Sequence, residues 1–217
     1  MLGILYKGAR RVILLAVIAT LLVGCKADEL ELRIDLTQLR SAAAGNDVVV
    51  PFKAVFTDSR PLNTRQSAQV DDVWSALKEY VKIKDFEREN VDGGLRVTVK
   101  GELPVRTTRS ADDAWFVSFT ESTAFGGFHR VTLESGERFD ALQQKLASVN
   151  FALDLAEFHP TTIEITGRAS RLLAPAATVE GESHLIYDGP LDNPLRIRQS
   201  GGAFEHTGPG FLVRMDR

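Results

Sequence analysis

The sequence predicts an α+β fold made of two similar strand-helix-hairpin units with antiparallel sheets, followed by a C-terminal β segment. Several short runs alternate apolar and polar residues, which is typical of half-buried strands, and two longer runs repeat apolar residues at the period of a helix. Each helical run is followed by two strand patterns separated by a turn. We expect the first unit over residues 30–109, the second over 110–174, and the C-terminal segment, packed on the sheets, over 175–217.

The first unit opens with a strand, because residues 30–36 alternate apolar and charged side chains. Residues 37–44 predict a short helix that ends at Gly45. Residues 48–57 predict a buried strand in which Pro51 marks an edge or a bulge, since proline cannot donate a backbone hydrogen bond to a neighbouring strand.

The clearest helix of the chain is predicted over residues 70–81, after a polar loop over residues 58–69. Its apolar residues recur three and four positions apart, and two aspartates lie in its first turn, where the helix dipole favours acidic groups. Residues 86–91 and 95–103 then predict a β-hairpin around a glycine-rich turn.

The same order of elements recurs in the second unit. Ser135 is the predicted N-cap of a helix whose apolar residues extend from Phe139 to Val149. Strands are predicted on both sides of this helix, over residues 115–120, 128–133, 153–158 and 163–169. Two interpretations remain open at this point, an ancient duplication of one unit or a chance likeness of two generic α+β units.

Pro175 opens the third part, which is rich in strand and turn patterns. About forty residues of β structure without disulfides or metal are only marginally stable by themselves. We therefore expect this segment to close one of the sheets.

The first 24 residues are typical of an export signal. Lys7, Arg10 and Arg11 precede residues 12–23, a nearly uninterrupted apolar run of twelve residues. This run is shorter than the roughly 20 residues that a membrane-spanning helix needs. We expect residues 1–24 to be a cleaved signal peptide.

The only cysteine of the chain, Cys25, directly follows this signal. The sequence Leu22-Val23-Gly24-Cys25 resembles the lipobox of bacterial lipoproteins. The resemblance implies that Leu22, Val23 and Gly24 are recognised by signal peptidase II. It also implies that Cys25 becomes the first residue of the mature chain and carries a diacylglycerol and an N-acyl chain. Two or more acyl chains hold a protein stably at a bilayer, and we expect no cofactor besides these lipids.

The residue after the cysteine bears on the location. In the same lipoprotein family, an aspartate at this position tends to retain a protein in the inner membrane, whereas this chain has Lys26. The resemblance therefore implies lipid anchoring in the outer membrane, facing the periplasm, of a Gram-negative host.

The start of the expected mature chain, CKADELELRIDLTQLRSAAAG, resembles small lipoproteins of uncharacterised function from bacteria and prophages. The likeness covers about twenty residues and transfers no catalytic residue. It implies an envelope protein without enzymatic activity, and it leaves open whether the gene belongs to a bacterium or to a prophage.

Charge argues against a nucleic-acid partner. Removal of residues 1–24 takes away three of the 26 basic residues and none of the 29 acidic ones, so the net charge becomes −6. Binding to phosphates requires clustered lysine and arginine, and the sequence has no such run.

Motifs for catalysis or metal binding are not found. The four histidines, His129, His159, His184 and His206, are far apart, and none has the spacing of a metal site. The chain contains no GxSxG motif and no phosphate-binding glycine loop. We therefore predict no catalytic residue, no metal site and no enzymatic activity.

Aromatic residues are concentrated between Trp115 and Phe128, and most of them are expected in the core. Phe125, Gly126 and Gly127 are the exception, because a turn is expected there. An exposed phenylalanine at a loop tip is a candidate contact for a protein partner or a membrane.

These features favour a membrane-anchored envelope lipoprotein that acts by binding a protein partner, in envelope assembly, secretion or phage exclusion. The alternative is a periplasmic hydrolase that acts on cell-wall or glycan material with carboxylates in a cleft between the two units. A lipid carrier, which would need a hollow lined by apolar strand faces, is a third hypothesis. The oligomeric state is left open.

Overall fold

The computed structural model describes residues 27–58, 64–91, 94–149, 160–199 and 208–215, of which 56% lie in strands. The helices described are α1 (Leu36–Ala43), α2 (Thr64–Lys78) and α3 (Phe139–Val149). The strands described are β1 (Glu29–Asp35), β2 (Val49–Asp58), β3 (Lys82–Val91), β4 (Gly94–Arg106), β5 (Trp115–Glu121), β6 (His129–Ser135), β7 (Thr161–Thr166), β8 (Ala169–Val179), β9 (Glu182–Leu191), β10 (Leu195–Gln199) and β11 (Gly210–Arg214).

The predicted α+β fold is wrong, because nine of these strands form one closed β-barrel. The order round the barrel is β10-β7-β1-β2-β4-β5-β6-β11-β8, and pairing of β8 with β10 closes it. β3 pairs with β4, and β9 pairs with β8, outside the ring. Two neighbouring pairs are parallel, β1 with β7 and β4 with β5, whereas the sheets were predicted to be antiparallel throughout.

The interpretation as two duplicated units is wrong for the same reason. The strands that a duplication would equate, β4 and β7, have different neighbours: β4 pairs with β2, β3 and β5, and β7 pairs with β1 and β10. The helices α2 and α3 share one small apolar cluster, which includes Ala76, Leu142 and Leu146. Alternating apolar residues identify the buried face of a strand but not its partner.

Several local predictions are confirmed. Asp35 caps α1 by accepting a hydrogen bond from the backbone N–H of Thr37 at 2.8 Å, and Gly45 takes a positive φ of 88° just after the helix. The helix over Phe139–Val149 is present, but its predicted N-cap is wrong, because Ser135 is the last residue of β6 and the helix begins only at Phe139. The loop predicted over residues 58–69 is wrong in part, because α2 already begins at Thr64. Residues 64–69 are mostly polar, so they carry no apolar period by which a helix is detected.

The edge position predicted for Pro51 is confirmed. It is opposite Glu102 on β4, whereas the pairing of β2 with β1 reaches only to Phe52. Pro51 therefore lies where β2 has lost one of its two neighbours, and its missing N–H leaves no gap in the ladder.

β8 has two successive partners in the barrel, β11 and β10. It pairs with β11 at residues 171–173 and with β10 at residues 177–179, in both cases antiparallel, while β9 follows it from end to end. A strand has two edges, so β10 and β11 lie one after the other along the same edge. At Ala176 the backbone has a positive φ of 44°, and the residues that flank it in the main core are Leu172 and Ala174 on one side and Ala177 and Val179 on the other.

The interior of the barrel is filled by apolar side chains. Leu32 and Ile34 of β1 face this core, and α1 adds Leu36 and Leu39 to it. The chain enters the fold immediately before β1. Ala27 is only 2% exposed, and the backbone N–H of Asp28 donates to the carbonyl of Val55 at 2.8 Å.

Candidate functional site

The predicted lipidation site lies just before the structure begins. Cys25, together with Leu22, Val23 and Gly24 and the rest of the predicted signal, lies outside the described residues. Ala27 is already buried in the barrel. Two residues of extended chain span at most about 7 Å. The Cα atoms of Cys25 and Ala27 are therefore at most about 7 Å apart, so a lipid on Cys25 would keep the barrel close to the bilayer.

Direct pairings connect the start of β1 to the β8–β9 arm. Leu30 is opposite Thr161 of β7, Thr161 is opposite Gln199 of β10, Gln199 is opposite Ala177 of β8, and Ala177 is opposite His184 of β9. These five residues form one row across five neighbouring strands. Four strand spacings amount to about 19 Å, so the arm begins within that distance of the chain entry.

Two adjacent aliphatic side chains are exposed directly beside this row. Leu185 is 91% exposed and Ile186 is 58% exposed. They follow His184 in β9, opposite the turn in β8 at Ala176. Neighbouring residues of a regular strand point to opposite faces, so one of the two would normally be covered. Here both are exposed, whereas His184 before them and Tyr187 after them are half-buried.

This pair was not among the predicted site residues, because the sequence indicated only that residues 175–217 are rich in strand and turn patterns. The available signal was the run Leu185-Ile186-Tyr187, three apolar residues in succession between polar residues on both sides. A half-buried strand alternates, so such a run indicates that one face has an additional role.

The loop predicted as a contact joins β5 to β6. Phe125 is 37% exposed, and its ring packs edge-on against Phe128, with 6.4 Å between centroids. The backbone N–H of Phe125 donates to Oγ of Ser122 at 3.0 Å, and Gly127 has a φ of 77°, a conformation that favours glycine. The guanidinium of Arg214 lies 4.4 Å from the centroid of the Phe128 ring. Phe125 is therefore half-buried on a defined loop, with part of its ring open to solvent.

A small cavity lies where β4 leaves β3 and joins β5. Its volume is about 200 Å³, and its polar wall includes Lys82, Glu102 and Asp113, with Tyr80 and Trp115 as aromatic walls. Cavities that hold small molecules usually enclose about 300–1,000 Å³. This one has room for a few waters or a fragment, and it is too small for a glycan chain.

The two carboxylates of the cavity are engaged by cations. Glu102 accepts hydrogen bonds from Lys82, at 2.7 Å, and from Lys84. The bond from Lys82, followed by the bond from Lys84, holds the pKa of Glu102 below its ordinary value. Asp113 binds Nε of Arg106 at 2.8 Å. A general acid at neutral pH needs a raised pKa, and Glu102 has the opposite shift.

The histidines do not gather into a site. His129 stacks on Phe119 at 4.8 Å, and His184 packs edge-on against Tyr187, in a different part of the sheet. His159 and His206 lie outside the described residues. Within the described ranges, no three His, Cys, Asp or Glu side chains lie close enough together to hold a metal ion.

Of the three helices described, none has the length and apolar character needed to cross a bilayer.

Comparison of the chain with models of known protein families, with curated proteins and with solved structures gave no match.

Proposed function

We propose that this chain is a lipid-anchored protein of the bacterial envelope that works by binding a protein partner and performs no catalysis. The observation that carries the proposal is the entry of the chain into the barrel: Ala27 is 2% exposed, two residues after the cysteine of a lipobox-like sequence. A lipid at Cys25 then anchors the folded body almost directly to the bilayer. Confinement to a surface raises the effective concentration of a partner in the same compartment without additional contacts.

The location follows from the residue after the cysteine. Lys26, in place of aspartate, favours the outer membrane with the barrel in the periplasm. Envelope assembly, secretion and phage exclusion are the roles that agree with such a position. The loop at Phe125, Gly126 and Gly127 is the proposed contact for the partner, supported by the 37% exposure of the phenylalanine.

Anchoring is tested by replacing the thiol. Cys25→Ser, expressed from its own signal, should no longer incorporate labelled fatty acid and should leave the membrane fraction. Lys26→Asp is the matched control, because it keeps the acylation site and should move the protein from the outer to the inner membrane of a Gram-negative host. Unchanged labelling and unchanged fractionation of Cys25→Ser would overturn the anchor.

The partner contact is tested with a photo-crosslinking amino acid at position 125 in intact cells, compared with one at Gln38, an exposed position of α1. We expect a discrete adduct from position 125 that disappears in the Cys25→Ser background. Equal yields from the two positions would mean that the Phe125 loop is ordinary surface.

A hydrolase is the second candidate, and one observation favours it: Glu102 and Asp113 line the same cavity. The small volume and the lowered pKa of Glu102 make this role less favourable. Digestion of cell-wall glycan by the purified protein, lost in Glu102→Gln and in Asp113→Asn, would establish the hydrolase and replace the binding role.

A further inference from the structure

We propose that Leu185 and Ile186 form a second membrane contact, which inserts into the interfacial region of the bilayer to which Cys25 is attached. The proposal rests on lipidation of Cys25, as argued above. The occupant is the lipid bilayer itself. This second contact fixes how the barrel is rotated on the bilayer, which a single point of attachment leaves free.

A lipid on Cys25 can reach only the part of the barrel near the start of β1. Ala27 is buried two residues before this strand, and about 7 Å of chain at most separates it from the lipidated residue. The end of the barrel that contains the start of β1 therefore faces the bilayer. A longer tether would allow any face to approach the lipid, but this one does not.

The register of the strands places the exposed pair at the same end as the chain entry. His184 occupies the same row as Leu30, through the pairings of β1, β7, β10, β8 and β9. The next residue, Leu185, is one step further towards the end at which the chain enters, because Thr161, Gln199 and Ala177 have the matching order. The exposed pair thus belongs to the end of the sheet that the anchor holds at the membrane.

The two aliphatic side chains are exposed on a strand that has a neighbour on one edge only, among the described residues. Leu185 is 91% exposed and Ile186 is 58% exposed, on a strand that pairs only with β8 among the described residues. Large aliphatic side chains that remain in water forgo the favourable transfer to an apolar phase. For Leu185 and Ile186, which lie near a lipid attachment point, the nearest apolar phase is the acyl-chain region of the bilayer.

Charge indicates how the contact works. The acidic residues Asp28 and Glu29 lie at the entry of the chain, whereas Glu180 and Glu182 lie at the β8–β9 turn, on the other side of the row from Leu185. Anionic lipids attract basic surfaces, so they do not favour this end. The contact is therefore apolar, and it should form on zwitterionic lipid and persist at high salt.

The test uses the acylated full-length protein. The mature chain has no second cysteine, so Leu185→Cys introduces a unique thiol for an environment-sensitive dye. The labelled protein is reconstituted into vesicles of phosphatidylcholine with or without bromine on the acyl chains. We expect the brominated chains to quench the dye at position 185 at least about twofold, as for a group within the interfacial region. Raising the salt concentration should leave the quenching unchanged.

Gln38→Cys is the matched control, labelled in the same way. The far end of β1 is about 20 Å further from the anchor than its start. Gln38 is exposed on α1, which follows that far end. Its dye should be unaffected by bromine. A second pair of variants carries the dye at the exposed position 183, through Ser183→Cys. Bromine should quench this dye when Leu185 and Ile186 are present, and the quenching should be lost when Leu185→Ser and Ile186→Ser are added.

The outcomes separate the two proposals. An acylated, vesicle-bound protein whose dye at position 185 is not quenched overturns the second contact and leaves the anchor intact. A blue-shifted dye that bromine does not quench means that protein, such as a second copy of the chain, covers the pair, and this also overturns the contact. A soluble protein without acyl chains overturns both proposals.

Discussion

The side chain of Gln199 pairs with the backbone of Gly210 as a neighbouring strand would. Its Oε1 accepts a hydrogen bond from the N–H of Gly210 at 2.8 Å, and its Nε2 donates to the carbonyl of Gly210 at 3.0 Å. The same Nε2 donates to the carbonyl of Pro175 at 3.0 Å. These three bonds lie where β10 ends, β11 begins and β8 turns. One buried amide thus completes the ladder at the point where the barrel closes.

Replacement of this amide should weaken the closure. We expect Gln199→Ala to lower the free energy of unfolding by about 2–4 kcal/mol, because it leaves a buried N–H and a buried carbonyl of Gly210 without partners. Urea denaturation measures this. Gln38→Ala, at an exposed position, should change the value by less than about 0.5 kcal/mol, and equal effects of the two variants would remove the special role of Gln199.

Gly210 should not accept a side chain. A Cβ atom at this position would lie 2.1 Å from the backbone carbonyl oxygen of Val131, which cannot move without breaking the β6–β11 pairing. Gly210→Ala should therefore destabilise the barrel by about 1–3 kcal/mol or more. Gly126→Ala is the control, because no heavy atom lies within 4 Å of its added Cβ. Equal melting temperatures for the two variants would contradict the close approach of β11 to β6.

The ion pairs of Glu102 should make the free energy of unfolding fall as the pH is lowered into the acidic range. Hydrogen bonds from Lys82 and Lys84 lower the pKa of Glu102 in the folded state. Its contribution is therefore complete above the ordinary pKa of a glutamate, about 4.3, and it is lost as the pH falls through the lowered value.

Glu102→Gln should accordingly differ most from the natural protein at neutral pH, and the difference should shrink as the pH falls below the ordinary pKa of a glutamate and through the lowered pKa of Glu102. Chemical denaturation across this range measures the difference. Glu137→Gln, at an exposed position before α3, controls for the loss of a surface charge. A difference that does not change with pH would mean that the carboxylate is not held in its ionised form.

The packing of α2 against α3 should depend on the small apolar cluster that the two helices share. Leu142 is fully buried in a cluster with Leu146, Ala76 and Ala114, so Leu142→Ala should cost about 2–5 kcal/mol. Leu185→Ala is a matched leucine substitution at a position that is 91% exposed, and it should cost less than about 0.5 kcal/mol. Similar losses at the two positions in denaturation curves would contradict the assigned burial.

Local patterns in the sequence were sufficient for many elements. Alternation located β1, β4 and β5, and the helical period located α3. The same patterns failed to identify the barrel. The parallel pairing of β1 with β7 joins residues 30–35 to residues 161–166, and apolar alternation looks identical whichever strand lies alongside.

The candidate surface could be predicted only in part. Cys25 stands out because it is the single cysteine of the chain and follows an apolar run. The run Leu185-Ile186-Tyr187 marks an unusual strand, but it does not show which of its residues are exposed, because that depends on how β9 lies against β8. Gln199 was missed as well, since a buried glutamine has meaning only beside the backbone that it satisfies.

Intact mass spectrometry of the protein isolated from bacterial membranes tests the lipid anchor most directly. We expect a chain that begins at Cys25 and is heavier than the polypeptide by a diacylglyceryl group and one further acyl chain. A chain that begins at any other residue, or a Cys25 that retains a free thiol, would contradict the proposed anchor, and the membrane contact inferred from it would be lost as well.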